Sequence, residues 1–183
     1  TLSAALMASG VKYLSNELNP LIICFFRCLV GLIIVLPFVA NNKFQALKSK
    51  NIKLQFFRSI INVISMITWF SAIGIMQLEK ATALGFTTPL FTTVLAVIIL
   101  GEVIKIHRIT ALIVGFFGVL MIIRPGYLPL DSGTMLMLTA SLSFSIVLIM
   151  VKKLSDVDSS LTIIFYHLLF MTPLTFLVAI FFW

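Results

Sequence analysis

The segment that decides the fold runs from Ala81 to Glu102 and reads ATALGFTTPLFTTVLAVIILGE. Its first 20 residues, Ala81 to Leu100, carry no charge and are enough, as a helix, to cross a bilayer core of about 30 Å. Pro89 interrupts this run, because proline has no N–H group and its ring clashes with the carbonyl of Gly85. In hydrocarbon the freed carbonyl needs another partner, such as a hydroxyl group, a water molecule or a ligand. The segment therefore predicts an interrupted membrane-spanning helix.

The composition of the whole chain also indicates a membrane protein. Of 183 residues, 61% are hydrophobic and 10% are charged, and the mean hydropathy is +1.18. A soluble domain of this size could not bury so much apolar surface, so we expect an all-α, polytopic helical membrane protein. The net charge of +7 does not indicate a nucleic-acid partner, because the basic residues lie between apolar runs instead of along a stripe with aromatic residues.

The cysteines and the chain ends are less informative. Cys24 and Cys28 are one helical turn apart within an apolar run and have no further soft ligands nearby, so we expect reduced packing residues, with no metal and no other cofactor. The sequence begins at Thr1, stops at Trp183 inside an apolar run and has no secretory cleavage signature. These features predict a fragment of a longer protein.

Seven membrane spans are predicted, at residues 1–14 (the second half of a first helix), 20–40, 56–76, 81–100, 109–123, 132–151 and 160–183. The loops on one side of the membrane carry nine basic residues: Lys43, Lys48, Lys50, Lys53, Arg58, Lys105, Arg108, Lys152 and Lys153. The other side carries three: Lys12, Lys80 and Arg124. The positive-inside rule therefore assigns the first side to the cytoplasm.

The sequence contains a candidate internal repeat. When it is shifted by 140 residues along itself, Leu2–Leu29 aligns with Leu142–Leu169, and ten of the 28 positions are identical. Arg27 then falls on His167. Five spans, an odd number, separate the two copies, so the second would be inverted, as in many secondary transporters whose substrate site lies between the halves. The alternative is that apolar helices with a basic end resemble one another.

Several segments resemble a known family. Residues 19–38, NPLIICFFRCLVGLIIVLPF, are similar to the second span of the EamA-type family of the drug/metabolite transporter superfamily. Residues 87–126 are similar to its fourth and fifth spans, with the signature residues Thr88-Pro89, Gly101-Glu102, Arg108, Gly115, Gly118 and Val119. The resemblance implies ten helices in two inverted five-helix repeats around a central substrate cavity. Residues 1–126 would form the first repeat, with spans one to five, and residues 127–183 would begin the second, with spans six and seven.

Two basic residues at membrane depth are candidate site residues. Arg27 lies about 10 Å into the second span at 1.5 Å per residue, where a charge is costly unless it faces protein or a water-filled cavity. It would bind a substrate carboxylate, hold a gate or act as a structural strut. His167, its repeat mate, would take part in substrate binding or proton transfer, or be a buried, hydrogen-bonded histidine.

The third span carries a polar face. Ser59, Asn62, Ser65 and Trp69 recur at positions i, i+3, i+6 and i+10, which places them on one side of a helix. Asn62, Ser65 and Trp69 are candidates for the wall of a substrate cavity. Hydrogen bonding and packing between helices explain the same pattern equally well.

The fourth span supplies the last three candidates. Thr88 and Thr92 share a helical face one turn apart, and Pro89 opens the backbone beside them. This face is expected to line the substrate path, unless the threonine hydroxyls only repair a proline kink. Glu102, at the cytoplasmic end of the span, is expected to form a salt bridge or a local cap.

The carboxylates limit the class of substrate. All six acidic residues fall at span ends or in loops: Glu17, Glu79, Glu102, Asp131, Asp156 and Asp158. Small multidrug exporters of the superfamily that this chain resembles use a membrane-embedded glutamate, which the spans present here lack. This absence argues against proton-coupled export of cationic drugs and favours a neutral, zwitterionic or anionic metabolite.

These features predict a secondary transporter that moves a small amino-acid-like or nucleoside-like metabolite across a bacterial inner (plasma) membrane by alternating access. Its partners would be that solute and the lipid bilayer, with no nucleic acid; the sequence identifies no coupling ion. One alternative is an intramembrane lipid-modifying enzyme, but no Ser–His pair, paired carboxylates or metal-ligand cluster occurs at membrane depth, so we expect no enzyme. The other is a non-transporting scaffold, which would not need the break at Pro89 or the charge of Arg27.

Overall fold

The computed structural model describes residues 20–41, 49–103, 106–123 and 131–180, so the predicted first span lies outside the described residues. These residues form helices α1 (Pro20–Asn41), α2 (Ile52–Ile75), α3 (Leu78–Gly85), α4 (Thr87–Leu100), α5 (Ile106–Ile123), α6 (Ser132–Ser155) and α7 (Ser160–Ala179), without a strand among them. Five segments are long and apolar enough to cross a membrane: Ile22–Asn41, Ile52–Ile75, Leu78–Leu100, Ser132–Ser155 and Ser160–Ala179. Helix α5 contributes the shorter apolar run Ile109–Gly118. The prediction of an all-α, polytopic membrane protein is confirmed.

The start of α2 differs from the predicted third span. The helix begins at Ile52 instead of Phe56, so Lys53 as well as Arg58 lies within it, and their assignment to the preceding basic loop was wrong. The first turns of α2 are stable as a helix because Gln55 and Arg58 find buried hydrogen-bond partners on α7 and in the turn before it. Even when the buried Arg58 is not counted, eight basic residues remain on the side assigned to the cytoplasm against three, so the predicted orientation is unchanged.

The interruption of the fourth span is a break between two helices. Helix α3 ends at Gly85 and α4 begins at Thr87, which makes Pro89 the third residue of a new helix. In the first turn of a helix the N–H groups have no intrahelical acceptor, so proline costs little there. At the junction, the Thr87 hydroxyl donates to the Leu84 carbonyl at 2.7 Å. The predicted interruption is therefore confirmed, although it falls at Phe86, ahead of the proline.

The helices pack as a connected layer in which α2 and α6 form the largest contact. Helix α7 lies against α1 and α2, while α4 lies against the other side of α6 and carries α5. The α2–α6 contact is close because small residues allow it: a Cβ atom on Gly133 would lie 3.3 Å from Met76 Cβ. The core between α2, α3 and α6 contains Ala72, Ile73, Met76, Ala81, Leu84 and Met137.

Ion pairs at the two ends of this layer join the fourth span, which consists of α3 and α4, to α6. At one end, Lys80 Nζ lies 3.0 Å from Asp131 Oδ2, and Asp131 also caps α6 by accepting from the Thr134 N–H at 3.0 Å. At the other end, Glu102 forms an ion pair with Lys152, which confirms the salt bridge expected for Glu102. Lys80 and Lys152 therefore lie at opposite ends of the layer, as the predicted orientation requires.

Candidate functional site

A cavity of about 740 Å³ lies between α4, α5 and α6. Three predicted site residues, Thr88, Pro89 and Thr92, line its α4 wall. Much of the remaining wall is apolar and includes Leu90, Ala96, Leu112 and Leu148. The volume is within the range of roughly 300–1,000 Å³ that is typical of small-molecule sites. The broken span therefore borders a space large enough for a metabolite.

The hydroxyl groups on the α4 wall differ in their hydrogen bonding. Thr92 Oγ1 donates to the Thr88 carbonyl at 2.8 Å, and Thr93 Oγ1 donates to the Pro89 carbonyl at 2.8 Å. Within the described part of the chain, the Thr88 hydroxyl has no hydrogen-bond partner, and Thr88 is partly exposed. Thr88 therefore carries a hydroxyl on this wall that is not committed to the helix backbone.

Helix α6 and the end of α4 complete the cavity. The buried Ser145 Oγ lies within hydrogen-bond distance, 3.0 Å, of the Thr88 carbonyl and fixes this part of α4 against α6. Gly101 ends α4 in the left-handed conformation, with a φ of 66°, which glycine adopts without strain. This turn positions Glu102 beside Lys152, and both side chains lie on the cavity wall. An apolar cavity is thus bordered by one ion pair.

A second group of predicted residues meets between α1, α2 and α7. Asn62 Nδ2, on α2, lies 3.3 Å from His167 Nε2, on α7. Arg27, on α1, is exposed, and its charge is close enough to act on the His167 ring. Of the predicted site residues, Asn62 and His167 are therefore in contact and Arg27 lies on the neighbouring helix α1, on helices that pack away from the α4 wall.

Arg58 belongs to the same group, although sequence reasoning missed it. Its side chain is 2% exposed, its Nη2 donates to the Ile163 carbonyl at 2.9 Å, and its charge also acts on His167. Even on insertion-based scales, a charge at the centre of a membrane helix costs about 2.5–3.5 kcal/mol, so a buried arginine needs compensation. The available signal was its spacing: Arg58 lies one helical turn before Asn62 and extends the polar face.

Ser65 and Trp69 lie outside both groups. Ser65 Oγ donates to the Ala140 carbonyl on α6 at 3.0 Å. Trp69 packs edge-on against Phe70, with ring centroids 5.0 Å apart, beside the core between α2, α3 and α6. In this arrangement both residues make the helix–helix contacts that were the alternative to a cavity wall.

Asp158, near the start of α2, is strongly hydrogen-bonded. Asp158, 8% exposed, accepts from Ser49 Oγ at 2.6 Å, from the Lys50 N–H at 3.0 Å and from Gln55 Nε2 at 3.2 Å. Burial alone would raise the pKa of Asp158, but these donors outweigh it and lower the pKa. The ionised carboxylate therefore ties the turn between α6 and α7 to the start of α2.

The cysteines and the possible metal ligands make no separate site. Cys24 Sγ contacts Met66 Sδ at 3.7 Å, and Cys28 is buried with Val63 and Met171. Within the described ranges, no three His, Cys, Asp or Glu side chains are grouped so that they could hold a metal ion. The two cysteines pack between α1 and its neighbours.

Comparison with known proteins identifies the family. Residues 1–124 match the EamA-like transporter family. The chain is 30% identical over 172 residues to an S-adenosylmethionine uptake transporter of Rickettsia prowazekii, covering 94% of this chain and 58% of the relative. It is 27% identical over 183 residues to a riboflavin transporter of Vibrio cholerae, covering 98% of this chain and 61% of the relative.

The comparison gave two further results, on the length of the relatives and on solved structures. The chain spans about three fifths of the length of these two curated relatives. No solved structure matches it. The names of the family and of the relatives are those of transporters, in agreement with the prediction that the protein is not an enzyme. The chain belongs to the EamA-like transporter family of the drug/metabolite transporter superfamily and is a multi-pass integral membrane protein.

Proposed function

We propose that the protein is a secondary transporter that moves a small metabolite across a bacterial inner membrane by alternating access. The observation that carries the proposal is the 30% identity to an S-adenosylmethionine uptake transporter along 94% of this chain. The riboflavin transporter of Vibrio cholerae supports the same class of activity. Because the chain spans only part of these relatives, the activity is proposed for the whole protein.

The inverted-repeat arrangement, with residues 1–126 and 127–183 in different repeats, is part of this proposal. Helices α1 and α7, the proposed mates, pack antiparallel, and a Cβ atom on Gly31 would lie 3.1 Å from Leu168 Cδ2. Further along the same contact, Cys28 shares a buried cluster with Met171. An antiparallel contact between equivalent helices is expected where two inverted repeats meet, which supports the repeat.

The substrate would be an amino-acid-like or nucleoside-like metabolite. S-adenosylmethionine, which joins an amino acid to a nucleoside, is the first candidate because of the Rickettsia relatives, and riboflavin is the second. The cavity between α4, α5 and α6 offers apolar walls and the Thr88 hydroxyl. The group around Asn62 and His167 offers hydrogen-bonding partners. Both would contribute to the substrate path.

Reconstitution of the full-length protein tests the proposal. Liposomes that contain the protein should accumulate labelled S-adenosylmethionine faster than protein-free liposomes and faster than liposomes with heat-inactivated protein. Labelled riboflavin, measured in parallel, separates the two candidate substrates. If neither compound crosses the membrane faster than in the two controls, the proposed transport of these metabolites is wrong.

A further inference from the structure

We infer that Arg58 and His167 form an anion-binding centre that recognises a carboxylate group of the transported metabolite. The inference rests on the proposed transport function and adds to it the residues that select the charge of the substrate. It starts from two buried hydrogen-bond donors that have no acceptor among the described residues.

Two hydrogen-bond donors of the centre have no acceptor in the described part of the chain. Asn62 Nδ2 can only donate, so His167 Nε2, 3.3 Å away, is the acceptor and the ring proton is on Nδ1. His167 Nδ1 and Arg58 Nε are both buried without a hydrogen-bond partner in the described part of the chain. Buried donors without acceptors are rare, because each has lost its hydrogen bond to water. A ligand that satisfies both must offer acceptors.

The centre is surrounded by positive charge. The charges of Arg58 and Arg27 both act electrostatically on the His167 ring. Neither arginine has a carboxylate within ion-pair distance among residues 20–41, 49–103, 106–123 and 131–180. Asp158, the acid near the start of α2, is instead occupied by Ser49, Lys50 and Gln55. The centre is thus electropositive, with no resident anion in the described ranges. A carboxylate offers acceptor oxygens and a negative charge, and it pairs well with a guanidinium group.

The two arginines differ in their exposure. Arg27 is exposed, whereas Arg58 is 2% exposed beneath α7. In this proposal the exposed Arg27 lies at the outer side of the centre, and the buried donors of His167 and Arg58 hold the carboxylate. Helices α1 and α2 belong to the first proposed repeat and α7 to the second, so the centre spans the junction where alternating access would act.

Two substrates that differ only in the carboxylate test the inference. Full-length protein in liposomes is assayed for uptake of S-adenosylmethionine and of its decarboxylated analogue. The wild type should show a KM for the analogue that is roughly ten- to hundredfold higher, as expected when a charge-assisted hydrogen bond is lost. Arg58→Gln should raise the KM for S-adenosylmethionine by a similar factor and should not raise the KM for the analogue, which has no carboxylate to lose contact with. Arg58→Lys, which keeps the charge but not the planar donors, should be intermediate.

Lys53→Gln is the matched control, because it removes an exposed cation from the same helix and should keep wild-type discrimination. Equal KM values for both compounds in the wild type, or an equal loss for both in Arg58→Gln, would overturn the inference and leave the transport function standing. Arg58 would then be a strut, or would pair with a carboxylate elsewhere in the protein. Absence of uptake of both compounds by the wild type would overturn this inference, and the proposed function would then depend on the riboflavin assay. Should Arg58→Gln not fold, the wild-type comparison and Arg58→Lys decide.

Discussion

At the scale of single residues, Pro89 explains why the fourth span consists of two helices. A proline inside a continuous helix would remove a hydrogen bond and clash with a carbonyl, at a cost of about 3 kcal/mol. Because α4 begins at Thr87, the proline lies in the first turn, where no N–H donor is needed. The break leaves the Thr88 hydroxyl on the cavity wall without a partner in the described residues.

The Thr88 hydroxyl is therefore expected to contact the substrate. Thr88→Val keeps the shape of the side chain and removes the hydroxyl, so the KM for the transported metabolite should rise about two- to tenfold, the effect of one neutral hydrogen bond. Uptake kinetics in liposomes measure this change. Thr82→Val is the control, because Thr82 is exposed on α3 and its hydroxyl donates to the Leu78 carbonyl. An unchanged KM in Thr88→Val would remove this hydroxyl from the substrate path.

At the scale of elements, the contacts of α2 with α6 and α7 account for the polar face that the sequence pattern indicated. Ser65 faces α6, where it binds the Ala140 carbonyl, whereas Asn62 faces α7 and binds His167. Helical periodicity alone places these residues on one side of α2. It cannot tell whether they face a neighbouring helix or a cavity, because polar side chains form hydrogen bonds in either place. The face is divided between two neighbours, which only packing determines.

The hydrogen bonds of Asp158 should stabilise the junction between α2 and the turn before α7. Asp158→Asn removes the charge that three donors share, so the free energy of unfolding in detergent should fall by about 2 kcal/mol near neutral pH. Asp156→Asn is the control, because Asp156 is exposed in the same turn and its substitution should change stability by less than about 0.5 kcal/mol.

The pH dependence of this effect has a defined sign. The pKa of Asp158 is lower in the folded protein than its ordinary value of 3.8, so the stabilisation is fully present above that value and is lost as the pH falls below it. The difference between wild type and Asp158→Asn should therefore shrink in acid. At the opposite end, hydrogen bonds from Thr134 and Lys80 lower the pKa of Asp131 to about 2, with the same sign. A difference for Asp158 that grows in acid would contradict this account.

At the scale of the whole molecule, the ends of the helix layer follow the predicted sidedness. Ser49, Lys50 and Asp158 meet at one junction, and all three come from loops assigned to the cytoplasm. Lys80 and Asp131 form the ion pair at the side assigned to the exterior. These contacts require the two loops of each pair to lie on the same side of the membrane, as the predicted spans place them. If one predicted span did not cross the membrane, the later loops would change sides and the contacts could not form.

Labelling of single introduced cysteines tests this orientation. In cells that express the full-length protein, Glu79→Cys should react with a membrane-impermeant maleimide in intact cells, and Lys153→Cys only after permeabilisation. Both positions are exposed, whereas the native Cys24 and Cys28 are 1% and 4% exposed, so background labelling should be low. The reverse pattern would show that the assigned orientation is inverted.

The class of fold, five of the six spans predicted within residues 20–180, the break in the fourth span and, through the motifs near Thr88 and Glu102, the family all follow from the sequence alone. These features are local: they depend on runs of apolar residues, on proline geometry and on short motifs. Only the tertiary structure decided that Asn62 and His167 meet, that Ser65 faces α6, and that Arg58 is buried without a carboxylate in the described residues. Partners more than 70 positions apart are chosen by helix packing, and a single sequence carries no local signal for that choice.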